Sequence, residues 1–224
     1  MNPTHKNNLL AGITLIASSV LTVFAMLHHP VAHSHNFEEL VAEIDSFQGV
    51  NQWVHAGAIG MMMLMVLGLS YLGSRLGFER IIVRGAMISF CMGAIAMVGA
   101  ATIDGFVIHS FLGGFEIRGE TDAELGYAIL RVFTSINRTL ALLGVFMMST
   151  GALLFGTAAL CCTRPLQWVG WLGVLTGVLG CAGLYTGYIQ ATAHGMIVFA
   201  SLIGSWLVVV GVLLIRWKDV SKEE

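Results

Sequence analysis

The chain has 224 residues, of which 56% are hydrophobic and only 11% carry a formal charge. A soluble globular domain carries about 25% charged residues, so this composition excludes a soluble domain and a disordered chain and indicates an integral membrane protein. The formal net charge of −2 gives nucleic acid no electrostatic attraction. We therefore expect the lipid bilayer as the main partner, with other membrane proteins or further copies of the chain, and no nucleic acid.

Six segments of the sequence are long and apolar enough to cross a bilayer, which takes about 20 residues of α-helix. They are residues 9–28, 53–74, 85–106, 139–160, 166–188 and 195–215. No linker or second domain separates them. We therefore predict an all-α polytopic membrane protein, with residues 1–224 forming a single transmembrane domain folded as a six-helix bundle.

Two segments between the spans have amphipathic helical patterns of their own. In the first, apolar residues recur with helical spacing: Phe37, Leu40, Val41, Ile44 and Phe47. Asn36 followed by Glu39 is the pattern of a capping box at a helix N-terminus. Thr121 and Glu124 repeat that pattern, and they predict a second helix that runs from residue 121 into the fourth span.

Basic residues are distributed unequally between the two ends of the spans. Eight of the eleven Lys and Arg residues fall at one end: Lys6, Arg75, Arg80, Arg84, Arg164, Arg216, Lys218 and Lys222. Loops on the cytoplasmic side of a membrane carry such an excess of basic residues. We therefore expect a multi-pass protein of the bacterial inner (cytoplasmic) membrane, with both termini cytoplasmic and the acidic loops facing outward.

The histidines collect at the opposite, outward end. Seven of the eight are predicted there: His28, His29, His33, His35, His55, His109 and His194. Counting about 1.5 Å per residue from the basic end of each span places His55, Asp104 and His194 at one depth, just beneath the outer headgroups. We therefore predict that the metal ligands of the protein come from these seven histidines and Asp104.

The residue types at this depth predict the cofactor. Imidazole binds Zn, Cu, Ni and Fe, and a carboxylate commonly completes or orients such a site. We expect a transition metal ion, Cu or Zn, or alternatively a b-type haem held by two of His55, His109 and His194. A hydrogen-bonded, pH-sensitive histidine network explains the pattern equally well. We also expect Arg138 to pair with Asp104, since a charge at the lipid boundary requires a partner.

Two further patterns concern packing. Glycine recurs every three or four residues through the fifth span, at Gly170, Gly173, Gly177, Gly180, Gly183 and Gly187. This predicts close helix contact, with Gly204, Ser205 and Gly211 of the sixth span as a matching face. The twelve methionines suit a Cu(I) path, but methionine more often fills irregular apolar space, and we favour that interpretation.

Three short motifs at the ends of the first three spans carry a resemblance. They are Leu27-His28-His29-Pro30, Trp53-Val54-His55 and Asp104-Gly105-Phe106. With them, the first half of the chain resembles small bacterial six-helix membrane proteins of unknown function. The resemblance implies a six-span bundle and no particular activity, and His33 and His35 lie outside its motifs.

Three classes of function fit these observations. The first is an integral membrane protein whose outward His/Asp site binds a transition metal or haem. The second is a non-catalytic subunit of a larger membrane complex. The third is a metal-dependent lipid hydrolase at the outer leaflet, in which a metal with an open coordination position activates water. No charged residue is predicted at mid-membrane depth, so an ion pathway through the bilayer is not expected.

Overall fold

The computed structural model describes residues 3–34, 36–115, 119–162 and 164–217. Within these ranges the chain folds into eight α-helices: α1 (Pro3–Leu27), α2 (Phe37–Ser46), α3 (Gln48–Leu76), α4 (Ile81–Thr102), α5 (Ile108–Gly114), α6 (Glu120–Leu160), α7 (Arg164–Tyr185) and α8 (Ala193–Arg216). A π-helical turn, Ile103–Val107, joins α4 to α5 without a break. The predicted all-α fold is confirmed.

Six helical stretches are long and apolar enough to cross a membrane, which confirms the polytopic bundle. They are His5–Leu27, Gln48–Leu76, Ile81–Gly114, Glu120–Leu160, Leu166–Tyr185 and Ala193–Arg216. The 41 residues of α6 make a helix about 60 Å long, roughly twice the ~30 Å thickness of a hydrocarbon core. Its first half therefore projects beyond the apolar layer, as the sequence predicted.

The spans pack in the order of the sequence and close into a ring. Helix α1 contacts α3, α3 contacts α4, α4 contacts α6, α6 contacts α7, α7 contacts α8, and α8 returns to α1. Trp206, Phe90 and Phe155 are among the largest fully buried side chains of the core. Exposed aromatic residues lie near both ends of the spans, as in the interfacial belts of membrane proteins: Trp53, Tyr185, Trp168 and Trp171.

Glycine allows two pairs of helices to approach closely. A Cβ atom on Gly156 of α6 would lie 2.6 Å from the carbonyl oxygen of Gly170 on α7, so the predicted close packing of the fifth span is confirmed. A Cβ atom on Gly211 of α8 would lie 2.7 Å from the carbonyl oxygen of Gly12 on α1. The small residues of the sixth span therefore face the first span and do not face the fifth as expected, because the ring closes through α1 and α8.

The amphipathic helix α2 covers one end of the ring, where it packs on α5 and the projecting half of α6. Phe37 is buried, with its ring centroid 6.4 Å from that of Phe115 and 6.1 Å from that of Tyr127. We call this end of the bundle, where α1 ends and α3 begins, the histidine end. Helix α2 thus fixes the connection that follows α1.

Of the two predicted capping boxes, the first forms in part and the second does not form. The Asn36 side chain accepts a 2.9 Å hydrogen bond from the Glu38 backbone N–H and caps α2 as predicted. The Glu39 carboxylate accepts from the Ser34 hydroxyl, so only half of that box forms. The second box is wrong: α6 begins at Glu120 after Gly119, without a side-chain cap, which places Thr121 inside the helix.

Replacement of Gly156 by leucine is expected to destabilise the bundle, because the new side chain would collide with the backbone of α7 at Val174 and Gly170. Overpacking of this kind costs about 1–3 kcal/mol. The measurement is thermal unfolding of the purified protein in detergent. Gly60→Leu on α3 is the matched control, since nothing lies within 4 Å of an added Cβ there. Equal melting temperatures of the two variants would contradict this packing.

Candidate metal centre

Three separate elements bring two imidazoles and a carboxylate together at the histidine end. His29 lies in the connection after α1, His55 on α3, and Asp104 in the π-helical turn. The Nε2 atoms of His29 and His55 are 3.3 Å apart. Asp104 Oδ2 is 3.3 Å from His29 Nε2 and 3.2 Å from His55 Nε2. These three atoms form a nearly equilateral triangle, and among the residues that the structure describes they are the group suited to a metal ion.

The π-helical turn places the carboxylate against α3. Its extra residue shows in the hydrogen bond from the Ile108 N–H to the carbonyl of Ile103, five residues earlier. Gly105, next to Asp104, leaves room for the imidazole: an added Cβ would lie 2.5 Å from His55 Cβ and 2.8 Å from His55 Cγ. Such π-helical turns frequently occur at functional sites. Here the turn and the missing side chain let α3 and α4 approach closely enough for His55 to reach Asp104.

The tautomer of His55 follows from its other ring nitrogen. Nδ1 lies 2.8 Å from the backbone carbonyl oxygen of Asn51, one turn earlier on α3. A carbonyl oxygen only accepts hydrogen bonds, so Nδ1 carries the proton. In the neutral ring, Nε2 therefore presents a lone pair towards the Asp104 oxygen. This is the arrangement of a metal-ligating histidine, whose remaining N–H is held by a carbonyl or a carboxylate.

The dimensions of the triangle match a tetrahedral ion. In a regular tetrahedron the edge is about 1.63 times the distance from centre to corner, so Zn–N and Zn–O bonds of about 2.0–2.1 Å put the ligand atoms about 3.3–3.4 Å apart. The triangle has sides of 3.2, 3.3 and 3.3 Å. With its proton on Nε2, His29 donates hydrogen bonds to Asp104 Oδ2 and His55 Nε2. With its proton on Nδ1, which has no hydrogen-bond partner among the described residues, both Nε2 lone pairs face the carboxylate and the triangle is suited to a cation.

The connection that carries His29 is held by Glu43 of α2. The Glu43 carboxylate accepts hydrogen bonds from the backbone N–H of His33, at 2.9 and 3.1 Å, and from that of Ser34, at 3.0 Å. These backbone donors lower the pKa of Glu43 below its ordinary value. A surface carboxylate thereby fixes the path of the chain four residues after the ligand.

Asn51 and His109 form a buried polar pair next to Asp104. The Asn51 amide donates one hydrogen bond to the Asp104 backbone carbonyl, at 3.1 Å, and another to His109 Nε2, at 2.9 Å. Asn51 is 4% exposed and His109 5%. His109 is therefore connected to Asp104 through the Asn51 side chain, and it is not one of the three residues of the triangle.

The other predicted site residues lie apart from the triangle. His28 is exposed, and its Nδ1 lies 2.9 Å from the Phe24 carbonyl oxygen. His33 is exposed, with its backbone bound to Glu43, and His194 is exposed at the start of α8. His35 falls outside the described residues. Of the eight predicted ligands, the structure thus gathers His29, His55 and Asp104.

The predicted pairing of Arg138 with Asp104 is wrong. Asp104 Oδ2 lies within 3.3 Å of His29 Nε2 and His55 Nε2, while Arg138 is exposed on α6. The neighbouring Asn137 lines the interior instead. One residue along a helix turns the side chain by about 100°, which decides between these two positions.

A cavity of about 160 Å³ extends from the triangle into the ring. Its polar lining residues are Thr22, His29, His55, Asp104, Asn137 and Thr192. The rest of the wall is apolar and includes six of the twelve methionines: Met26, Met62, Met65, Met97, Met148 and Met196. The three atoms of the triangle therefore line one part of a cavity whose wall is mostly apolar.

Sequence reasoning missed Asn51, Asn137 and the role of Glu43. A signal for Asn51 was present: it lies four residues before His55, on the same face of α3.

Comparison with protein families, with curated proteins and with solved structures finds no match to this chain. Its function is therefore inferred from the arrangement of its own residues.

Replacement of Gly105 by alanine is expected to disrupt the triangle without removing any ligand, because the added methyl group would overlap the His55 side chain. We expect metal affinity to fall by about 10- to 100-fold, the usual cost of displacing the residues that support a ligand. Gly113→Ala, where an added Cβ meets nothing within 4 Å, is the control. Unchanged metal binding in Gly105→Ala would contradict the close approach of α3 and the turn.

Acidification is expected to release the connection between α1 and α2. The pKa of Glu43 is lower in the folded protein than its ordinary value of 4.5. The hydrogen bonds to His33 and Ser34 therefore contribute stability above about pH 4.5, and that contribution is lost as the pH falls through the folded-state pKa. Hydrogen exchange of these two amides in the wild type and in Glu43→Gln measures the effect: protection in the wild type should exceed that in the variant at pH 6, and the difference should shrink as the pH falls below about 4.5. Equal protection in both proteins would show that Glu43 does not hold the connection.

Proposed function

We propose that this chain is a membrane metalloprotein that binds one Zn²⁺ through His29, His55 and Asp104 and uses it to activate water for hydrolysis. The observation that carries this proposal is the triangle of ligand atoms, with sides of 3.2–3.3 Å. An octahedral ion with bonds of about 2.1 Å would place adjacent ligands only about 3.0 Å apart. The tetrahedral distance fits better, and it favours zinc over a six-coordinate ion.

The ligand set favours a catalytic centre over a structural one. Structural zinc sites are closed by four protein ligands, whereas catalytic sites have three and leave the fourth position to water or substrate. Two histidines and one carboxylate are a ligand set of this second type. Among the described residues, the triangle supplies three ligands, and the cavity of about 160 Å³ gives a fourth ligand room to enter.

We also propose that the histidine end faces outward from a bacterial inner membrane, with both termini cytoplasmic. The unequal distribution of Lys and Arg supports this orientation, since eight of these eleven residues belong to the other end. Zinc would then be acquired from the extracytoplasmic side. The exposed aromatic residues near both ends are consistent with two membrane interfaces but do not distinguish inside from outside.

Copper handling is the second candidate, and one specific observation favours it. Six of the twelve methionines line the cavity next to the triangle. Thioether sulfur is a ligand for Cu(I), so these side chains could pass that ion along the cavity. Met62 and Met65 of α3 are buried in its wall. Methionine is also the usual filler of irregular apolar space, which explains the same lining without copper.

Elemental analysis of the purified protein is expected to show one zinc ion per chain. Each of the variants His29→Ala, His55→Ala and Asp104→Ala should bind zinc at least about 100-fold more weakly, because removal of a ligand costs more than removal of its support. The measurement is competition with a chromophoric chelator.

His28→Ala and His194→Ala are the matched controls, since both histidines are exposed and lie outside the triangle. They should retain full zinc content. Full zinc content in all three ligand variants would exclude the site. Copper in place of zinc, lost in Met62→Leu and Met65→Leu, would favour the copper-handling candidate.

A further inference from the structure

We infer that the substrate is a lipid with a carboxylic acyl group, whose hydrocarbon chain lies in the cavity while its carbonyl carbon lies at the zinc ion. This inference rests on the proposed zinc centre and names the class of molecule on which it acts. The ionisable residues that line the cavity are His29, His55 and Asp104, and the rest of its wall is apolar apart from Thr22, Asn137 and Thr192. A ligand that satisfies both parts has one polar end and one hydrocarbon chain.

The depth of the cavity matches one leaflet of a bilayer. On α3 its wall runs from His55 to Met65, which at about 1.5 Å per residue is about 15 Å. A hydrocarbon core is about 30 Å thick, so this is half of it. His55 lies twenty residues before Arg75 on α3, about 30 Å, so the two residues are separated by the thickness of one hydrocarbon core. A lipid of the adjoining leaflet therefore has its carbonyl groups at the height of the triangle and its chain at the height of the methionines.

The volume and the wall suit a single chain. An engineered apolar cavity of about 150 Å³ in another protein holds one benzene molecule, so about 160 Å³ admits roughly six carbon atoms before anything moves. Methionine side chains are unbranched and adapt readily to a ligand. Met62, Met65 and Met148 are at most 7% exposed in the wall. Their rearrangement gives a longer chain room without a change in the backbone.

The reaction that these residues support is hydrolysis of the acyl bond. A zinc ion held by His29, His55 and Asp104 would supply a water molecule whose pKa is lowered towards neutrality. The oxygen of that water would bond to the carbonyl carbon, and the bond from that carbon to the ester oxygen or amide nitrogen would break. The proton lost by the water would be taken up by the departing oxygen or nitrogen, while Asp104 would stay a ligand of the metal. One water molecule is consumed, and a fatty acid and an alcohol or amine are released.

Binding of an inhibitor tests the inference independently of turnover. The probes are octanohydroxamic acid and acetohydroxamic acid, added to the Co²⁺-substituted protein, whose visible spectrum reports a new ligand on the metal. We expect the eight-carbon probe to bind at least about tenfold more tightly than the two-carbon probe. Ala58→Phe, which fills the cavity one turn from His55, should abolish this preference while the metal content stays at one per chain.

Gly57→Phe is the matched control, because Gly57 is the preceding residue and an added Cβ meets nothing within 4 Å. It should retain the preference for the longer probe. Ala101→Phe fills the same cavity from α4 and replaces Ala58→Phe if that variant loses its metal. Equal binding of both probes to the wild type, or a preference that survives both cavity-filling variants, would overturn the inference and leave the zinc proposal intact.

Measurement of turnover distinguishes an ester substrate from an amide substrate. Octanoyl esters and octanoyl amides with a fluorescent leaving group are incubated with the zinc-loaded protein, with Ala58→Phe and with Gly57→Phe. Release from either substrate, lost in Ala58→Phe and retained in Gly57→Phe, supports the inference and assigns the ester or the amide. Release from neither by protein that holds one zinc per chain would overturn it, whereas absence of zinc would overturn the proposed function first.

Discussion

The carboxylate of Asp104 is the constraint on which the functional end of the bundle depends. A charged side chain at the edge of an apolar layer persists only if the protein supplies its partners. In the described part of the chain these partners are His29 and His55, both about 3.2–3.3 Å from one oxygen atom. The two imidazoles in turn fix the connection after α1 and the first turns of α3 against the π-helical turn. A single half-buried carboxylate thus lies at the point where these three elements meet.

The π-helical turn that carries Asp104 separates two segments, α4 and α5, that pack against different parts of the protein. Below the turn, α4 packs closely on α6, where a Cβ on Gly93 would lie 2.9 Å from the carbonyl oxygen of Gly144. Beyond the turn, Ile108 and Leu112 join a separate apolar cluster with Phe37. One extra residue rotates the following helix by about 100° relative to an uninterrupted α-helix. Because of this rotation, the residues of α4 that face α6 and the residues of α5 that face the apolar cluster beneath α2 do not lie on one continuous helix face. Asp104, within the turn, faces the site.

The sequence predicted the length of the spans and the depth of residues along them. It did not predict which way a side chain points around the helix axis. Spans follow from local hydropathy, and the shared depth of His55 and Asp104 follows from counting residues along straight helices. The third ligand could not be chosen this way. His28 and His29 are adjacent, yet only His29 faces inward, because α1 ends at Leu27 and the connection sets its direction. Arg138 and Asn137 differ in the same way on α6.

In the proposed zinc site, the position of His29 outside any helix would couple metal binding to the cavity. His29 is a ligand in the triangle and also part of the cavity wall. Its connection is held at one end by α1 and at the other by Glu43, through the amides of His33 and Ser34. A molecule in the cavity that displaces or orders His29 therefore changes metal affinity. By thermodynamic linkage, the metal changes the affinity for that molecule by the same factor. With two residues on helical elements and one on a tethered connection, the proposed site would respond to a molecule bound in the cavity.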